Sequence, residues 1–173
     1  MITIYGSPRS SSGRCFWTLE EIGIEYQDRP IDFRNKEHKS QDYLELNPNG
    51  KIPVLTDGEF VIWESMAINM YLAEKYRPEL LGADAETRGL VYQWSIWSIG
   101  ELQSPLIDIF IQKVFVPEDK RDNAVIQKAK DKLPALLSIL DKELSGKTYL
   151  AGANFSLADL NTASVVHICK NLK

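Results

Sequence analysis

Up to Tyr76 the sequence changes between strand-like and helix-like patterning every few residues, and beyond Pro78 only helical periodicity remains. That switch restricts the fold more than any other feature, because it requires a mixed α/β part followed by an all-α part. Ile2 to Tyr5 alternates as a strand. A turn rich in Gly, Pro and Ser runs from Gly6 to Gly13. Cys15, Phe16, Leu19 and Ile22 then share one helical face, with Gly23 placed to stop the helix. Ile24 to Ile31 reads as a second strand, so the two strands are expected to run parallel with a right-handed crossover. A short helix is expected over Ser40 to Leu46, followed by a loop at Asn47-Pro48-Asn49-Gly50. Two apolar runs, Pro53-Val54-Leu55 and Phe60 to Trp63, flank Asp57-Gly58 and read as a β-hairpin. A helix starts at Ser65 and carries Ile68, Tyr71, Leu72 and Tyr76 inward.

The second part reads as helices. Thr87 to Phe115 is rich in Trp, Ile and Leu, with Gly100 and Pro105 as interruptions. Pro117 to Asn123 is a charged loop. Leu133, Leu136, Leu137, Leu140 and Leu144 make a helical stripe, in which Pro134 implies a kink or a later start. Ser156-x-x-Asp159 resembles a capping box and opens a last helix. The boundaries drawn from this patterning are 1–77 for the α/β domain, 78–84 for a linker and 85–173 for the helical domain.

Composition removes several classes of function. The 173 residues are 44% hydrophobic and 25% charged, with a net charge of −4. Residues 1–80 carry nine basic against thirteen acidic side chains, and 81–173 carry eleven of each. Neither half has the basic excess of a nucleic-acid binder. No apolar run reaches the length of a membrane span, and the N-terminus lacks signal-peptide character. The location expected is the cytoplasm, with no membrane partner. The only two cysteines, Cys15 and Cys169, form no Cys-x-x-Cys pair, so neither a metal site nor a dithiol motif is expected, and both thiols are expected to be free and buried, with a single bridge between them as the alternative.

Three segments carry chemistry. A proline opening an edge strand at Pro53 is tolerated because it need not donate to the ladder. A cis Ile52–Pro53 bond would turn the Ile52 backbone outward, where it could pair with an extended peptide. The alternative is a loop proline with no role. Glu64-Ser65 lies where a strand gives way to a helix. Ser65 suits an N-cap, the first-turn N–H groups attract an anion, and Glu64 could hold an ammonium. Plain capping is the alternative. Ser7 to Arg14 joins the first strand to the first helix, at the strand edge where α/β sheets bind ligands. Its hydroxyls and the helix dipole favour a thiolate there, and capping is again the alternative.

These residues together resemble the soluble glutathione transferases. The resemblance rests on Glu37-His38-Lys39, Asn47-Pro48-Asn49-Gly50-Lys51-Ile52-Pro53-Val54-Leu55, Glu64-Ser65-x-Ala67-Ile68 and Tyr71-Leu72. Leu150-Ala151-Gly152 and Phe155 to Asp159 resemble the signature of the family's helical domain. The resemblance is to serine-type members, phi-like or of a bacterial class. It implies a thioredoxin-like N-terminal domain, an all-α C-terminal domain and a homodimer. The implied function is detoxifying conjugation of glutathione to a small hydrophobic electrophile, with no cofactor beyond glutathione itself. By position, Ser10 would activate the thiol, with Ser11, Ser12 and Tyr5 as alternatives, and Arg14 matches the phi-class arrangement. His38 and Lys39 would hold the glycine carboxylate. Ile52 would pair with the cysteinyl backbone next to a cis Pro53, Lys51 would also contact glutathione, and Glu64 and Ser65 would hold the γ-glutamyl head. Asp159 would stabilise the helical domain.

The chain is short for this family. The sequence from Val165 to Lys173 has no helix stop, so the expectation is a helical domain lacking its last helices. Two other functions are carried forward. One is a glutathione-dependent isomerase, whose Ser-Ser-Cys loop the Arg9-Ser10-Ser11-Ser12 run resembles in part. The other is a non-catalytic binding module that keeps the fold. The acceptor pocket is expected to lie between the domains, with Trp94, Trp97, Leu102, Ile107 and Phe110 as candidate linings.

Overall fold

The computed structural model describes residues 1–172. The chain forms two compact units, Met1–Leu81 and Gly82–Lys173.

The first unit is built on β1 (Ile2–Gly6), α1 (Gly13–Ile22), β2 (Tyr26–Pro30), α2 (Gln41–Leu46), β3 (Val54–Asp57), β4 (Phe60–Trp63) and α3 (Ser65–Tyr76). A 3₁₀ turn, Glu37–Lys39, precedes α2. The sheet order is β2-β1-β3-β4, with β1 parallel to β2 and antiparallel to β3. This is the mixed four-stranded sheet of the thioredoxin-like fold. Burial alternates along β1, and Ile2 and Ile4 point into a core made with Cys15, Phe16, Leu19, Leu55, Ile68 and Leu72. The α1 residues of that core repeat at helical spacing, so one face of α1 is apolar. The helix ends at Gly23, whose φ of 78° gives the left-handed C-cap.

Three expectations for this unit change. β2 is shorter than 24–31 and is an edge strand, with four of its five residues exposed. β3 is not an edge strand, since β1 and β4 flank it. Pro53 is tolerated because it precedes the first paired residue, Val54, and owes the ladder no N–H. Tyr76 is 36% exposed rather than core, and its hydroxyl donates to Asp57. Tyr71 and Lys75 donate to the same carboxylate oxygen, at 2.8 and 2.6 Å. Three donors from α3 thus fasten the hairpin to that helix. They hold the Asp57 pKa down at about 2 and raise that of Lys75.

The second unit contains α4 (Ala85–Trp97), α5 (Gln103–Val114), α6 (Asn123–Leu144) and α7 (Leu157–Val166). The interruption between α4 and α5 is a π turn over Ser98–Leu102. Pro105 lies in the first turn of α5 and cannot donate to the carbonyl of residue 101, which is inside the π turn. α6 starts at Asn123, well before Pro134, because the Asp122 side chain accepts from Ala124 and Val125 N–H. Its buried residues are Ile126, Ala129 and Leu140, whereas Leu137 and Leu144 each leave 40% of their surface exposed. Of the leucine stripe only Leu140 is buried, with Leu133 and Leu136 half-buried, and Ile126 and Ala129 continue that inward face toward the N-terminus. Asn161 on α7 donates to the Ser95 hydroxyl on α4 at 2.9 Å, a buried tie between the two helices.

The expected box at α7 is present. Ser156 caps the helix, and Asp159 Oδ2 accepts from Ser156 N–H and Oγ at 3.0 Å each. Asp159 Oδ1 accepts from Leu150 N–H at 2.8 Å. This carboxylate joins the helix start to the loop before it. Lys173, the end of the run expected to lack a stop, lies outside the described residues. Among the described residues no helix is long and apolar enough to cross a membrane.

Candidate functional site

The loop from β1 to α1 is a tight hydrogen-bonded structure. Ser10 N–H donates to Ser7 O at 3.0 Å, closing a turn with Pro8 as its second residue. Gly13 N–H then donates to Ser10 O at 2.9 Å. Glycine is needed at position 13 because a Cβ there would sit 2.4 Å from the Pro8 carbonyl oxygen.

The three serines have separate environments. Ser10 is exposed, and its Oγ lies 2.7 Å from Ser7 O and 3.0 Å from Ser12 Oγ. Ser12 N–H also donates to Ser10 Oγ at 3.1 Å. Ser11 is exposed, and its hydroxyl donates to Ile52 O at 3.3 Å. Ser12 is fully buried and is the N-cap residue of α1, yet its side chain makes no capping bond. The capping explanation for this serine run therefore fails at the one serine that occupies the cap. Tyr5 is a β1 residue whose ring meets Tyr43 edge-on at 6.4 Å.

The second segment precedes β3. The Ile52–Pro53 peptide is cis. Lys51 O accepts from Tyr43 Oη at 2.9 Å and Asn47 Nδ2 at 2.7 Å. Asn47 Oδ1 in turn accepts from Asn49 N–H at 3.0 Å. These contacts fix the backbone up to Ile52, so its peptide groups are presented in one conformation. Tyr43 and Asn47 were not read as site residues. Asn47 stands in the Asn-Pro-x-Gly loop signal, whereas nothing local marks the Tyr43 hydroxyl. At Gly50, φ is +56°, and a Cβ would meet His38 O at 2.7 Å. The loop therefore passes hard against the 3₁₀ turn that carries His38 and Lys39.

Lys39 Nζ donates to Asn49 O and Gly50 O, each at 3.3 Å, so the lysine clamps this loop while its residue surface stays exposed. The His38 ring stacks on Phe33 at 4.5 Å, and its Nδ1 is buried with no hydrogen-bond partner among the described residues. Lys51 is exposed.

The third segment turns β4 into α3 with a single intervening residue, Glu64. Its φ of 74° and ψ of 113° are unusual for a side-chain-bearing residue. One residue must reverse the chain from strand to helix, and it accepts strain to do so. Ser65 is the first helical residue rather than the N-cap, and no side chain caps this helix. The Ser65 hydroxyl instead accepts from Arg14 Nη1 at 3.2 Å. A serine hydroxyl has one proton. With Arg14 donating to its oxygen, Ser65 keeps that proton for another acceptor at an uncapped helix N-terminus.

Arg14 connects the first and third segments, since it is the second residue of α1. Burial lowers its pKa, and it is only 5% exposed. Its carbonyl accepts from Asn69 Nδ2 at 3.3 Å, tying α1 to α3 by a second bond. The neighbouring Cys15 thiol is fully buried against Ser65 O, and desolvation pushes its pKa up to about 12 despite the arginine. Cys15 is therefore a protonated core residue and no nucleophile. Both cysteines are free. Among the described residues no group of three or more His, Cys, Asp or Glu could hold a metal ion.

Chemically, the arrangement offers a cis-proline junction at Ile52, a hydroxyl loop against its carbonyl, and a helix start with an oriented hydroxyl beside a carboxylate. A short zwitterionic peptide fits this set of groups.

Comparison with known proteins agrees with this chemistry. Residues 1–74 match the family model for the glutathione S-transferase N-terminal domain, and 104–173 match the C-terminal domain. The chain is 40% identical over 165 residues to glutathione S-transferase F10 of Arabidopsis thaliana, covering 92% of this chain and 77% of that protein. A theta class glutathione S-transferase from Xanthomonas axonopodis pv. citri, solved with glutathione bound, superposes with a TM-score of 0.91 at 34% identity, covering 98% of this chain and 82% of the other. Maize glutathione S-transferase I, solved with an atrazine glutathione conjugate, gives 0.87 at 36% identity, covering 95% and 79%.

Proposed function

The chain belongs to the soluble glutathione S-transferase family, and from that premise we propose how its own residues carry out conjugation. It is an enzyme that joins the thiol of glutathione to an electrophile. Relatives in the phi group, and structures holding glutathione or its conjugates, favour this over the isomerase and binding-module alternatives.

Ile52 pairs with the cysteinyl backbone of glutathione beside cis Pro53. Glu64 takes the γ-glutamyl ammonium, while Ser65 and the α3 N-terminus take its carboxylate. His38, Lys39 and Lys51 surround the glycine carboxylate. Ser10 donates its proton to the sulfur. The observation that carries the reading is the loop geometry. Ser11 lies against Ile52 O, so the hydroxyl run and the peptide-pairing residue belong to one site.

A free thiol has a pKa near 8.5, so only a few per cent is ionised at neutral pH. Donation from Ser10 and the positive end of α1 stabilise the anion. A fall of about one to two pKa units corresponds to roughly 1.4–2.7 kcal/mol, within reach of one charge-assisted bond plus a dipole. The thiol proton passes to water. The thiolate pair then forms the S–C bond, and the electrophile's leaving group departs with its bonding pair.

A small hydrophobic acceptor, a homodimer and a cytoplasmic setting complete the proposal, on the family resemblance. The edge strand β4 supports the dimer, with Phe60, Val61 and Trp63 partly exposed along it.

Retention on immobilised glutathione, followed by turnover of a generic chloronitrobenzene, tests the function. The Ser10→Ala variant is expected to lose roughly 10- to 1000-fold in turnover with affinity for glutathione nearly intact. A silent Ser10→Ala beside an impaired Ser11→Ala would move the role to Ser11.

A further inference from the structure

The geometry points to Ser12 as a buried positioning residue that sets the hydroxyl of Ser10 as a donor to sulfur. The inference rests on the role of Ser10 proposed above. It follows from counting protons in the loop. Ser7 O is a carbonyl and can only accept. At 2.7 Å it claims the one proton of Ser10. The Ser10 and Ser12 hydroxyls are 3.0 Å apart, so with Ser10's proton spent this contact is donated by Ser12. Ser12 N–H donates to the same oxygen at 3.1 Å. Ser10 Oγ thus receives two hydrogen bonds from one buried residue and gives one away.

When a thiolate arrives, the Ser10 proton swings from Ser7 O to sulfur. Ser7 O is not orphaned, because Ser10 N–H still donates to it at 3.0 Å. The two donations from Ser12 remain in place and polarise the Ser10 O–H, making it the stronger donor to an anion. Ser12 is free for this because it does not cap α1, although it stands at the cap position. It is fully buried, so it cannot reach a ligand itself. Gly6 makes room for it, since a Cβ at that position would lie 2.2 Å from Ser12 Oγ. The adjacent serines therefore divide the work instead of duplicating it.

The test measures the bound thiol's pKa by its thiolate absorbance, in the whole chain with saturating glutathione. Ser12→Ala is expected to raise that pKa by about 0.5–1 unit, the size of one lost hydrogen bond. Turnover below the pKa should fall roughly 3- to 10-fold, with the glutathione Kd held within about 2-fold. Arg9 and Arg14 flank the loop and are unchanged in this comparison, so the shift isolates the hydroxyl. In a Ser10→Ala background, adding Ser12→Ala should change neither the pKa nor turnover. A Ser12→Ala protein with an unshifted pKa overturns the inference, as does additivity of the two substitutions. Ser12→Cys, a weaker donor of similar shape, reads the same shift at smaller size and serves if the alanine variant folds poorly. A silent Ser10→Ala would instead sink the assignment of Ser10.

Discussion

The N-terminus of α7 and the N-terminus of α3 begin with the same residue types and end up with opposite uses for them. At α7, Ser156 caps the helix and Asp159 closes the box, so the acceptors and donors there are consumed within the protein. At α3, Glu64 is held at positive φ, no side chain caps the helix, and Ser65 is turned by Arg14. One start is satisfied and relaxed. The other is strained and has no side-chain cap. A serine beside a carboxylate at a helix start is thus spent on capping or left for the binding role proposed above, depending on what already occupies its hydrogen-bonding capacity.

The largest expected effect tests the satisfied end. Asp159→Ala removes three acceptor contacts and should cost about 2–3 kcal/mol, read as a fall of roughly 5–10 °C in Tm. The surviving folded protein should bind glutathione as before. A drop in affinity without a drop in Tm would erase the contrast between the two helix starts.

Ser65→Ala tests the open end. Glutathione binding should weaken about tenfold, or about 1.4 kcal/mol, with a smaller loss of stability. Titration calorimetry and a melt on one sample separate the two. If Tm collapses while affinity holds, Ser65 is structural after all.

Glu64→Gly sharpens the comparison by relieving the strain. Glycine adopts positive φ without penalty, so unfolding free energy should rise by about 1 kcal/mol while glutathione affinity falls. A less stable variant would mean that Glu64 makes contacts outweighing its backbone cost. No such gain is expected from glycine at Asp159.

The smallest effect concerns the far end of α3. The folded pKa of Asp57 is depressed to about 2, so its stabilising contribution is complete above the ordinary carboxylate value near 3.9 and is lost as pH falls through 2. Asp57→Asn should flatten the decline in Tm between about pH 4 and 2. An unchanged slope would show that the three α3 donors to Asp57 do not stabilise the folded protein.

Much of this fold was legible in the sequence because its signals are local. The β1 alternation, the Gly23 stop, the Asp57-Gly58 hairpin and the Ser156-x-x-Asp159 box all depend on spacings of a few residues. The misreadings fall where packing overrides spacing. Five leucines of α6 looked like its buried face, but only Leu140 among them is buried, and Ile126 and Ala129 continue the inward stripe instead of Leu137 and Leu144. Pro53 read as an edge-strand residue because a strand's neighbours cannot be known from the strand.

The sequence by itself determined the order of the main elements, the family and the three segments of the proposed site. Only the tertiary structure decided what each serine does. Ser11 reaches Ile52 across 41 residues of chain, and Arg14 reaches Ser65 across 51. A serine's type and its place before a helix are written locally. The direction of its single proton is set by whichever distant group already donates to its oxygen, and that group arrives only on folding.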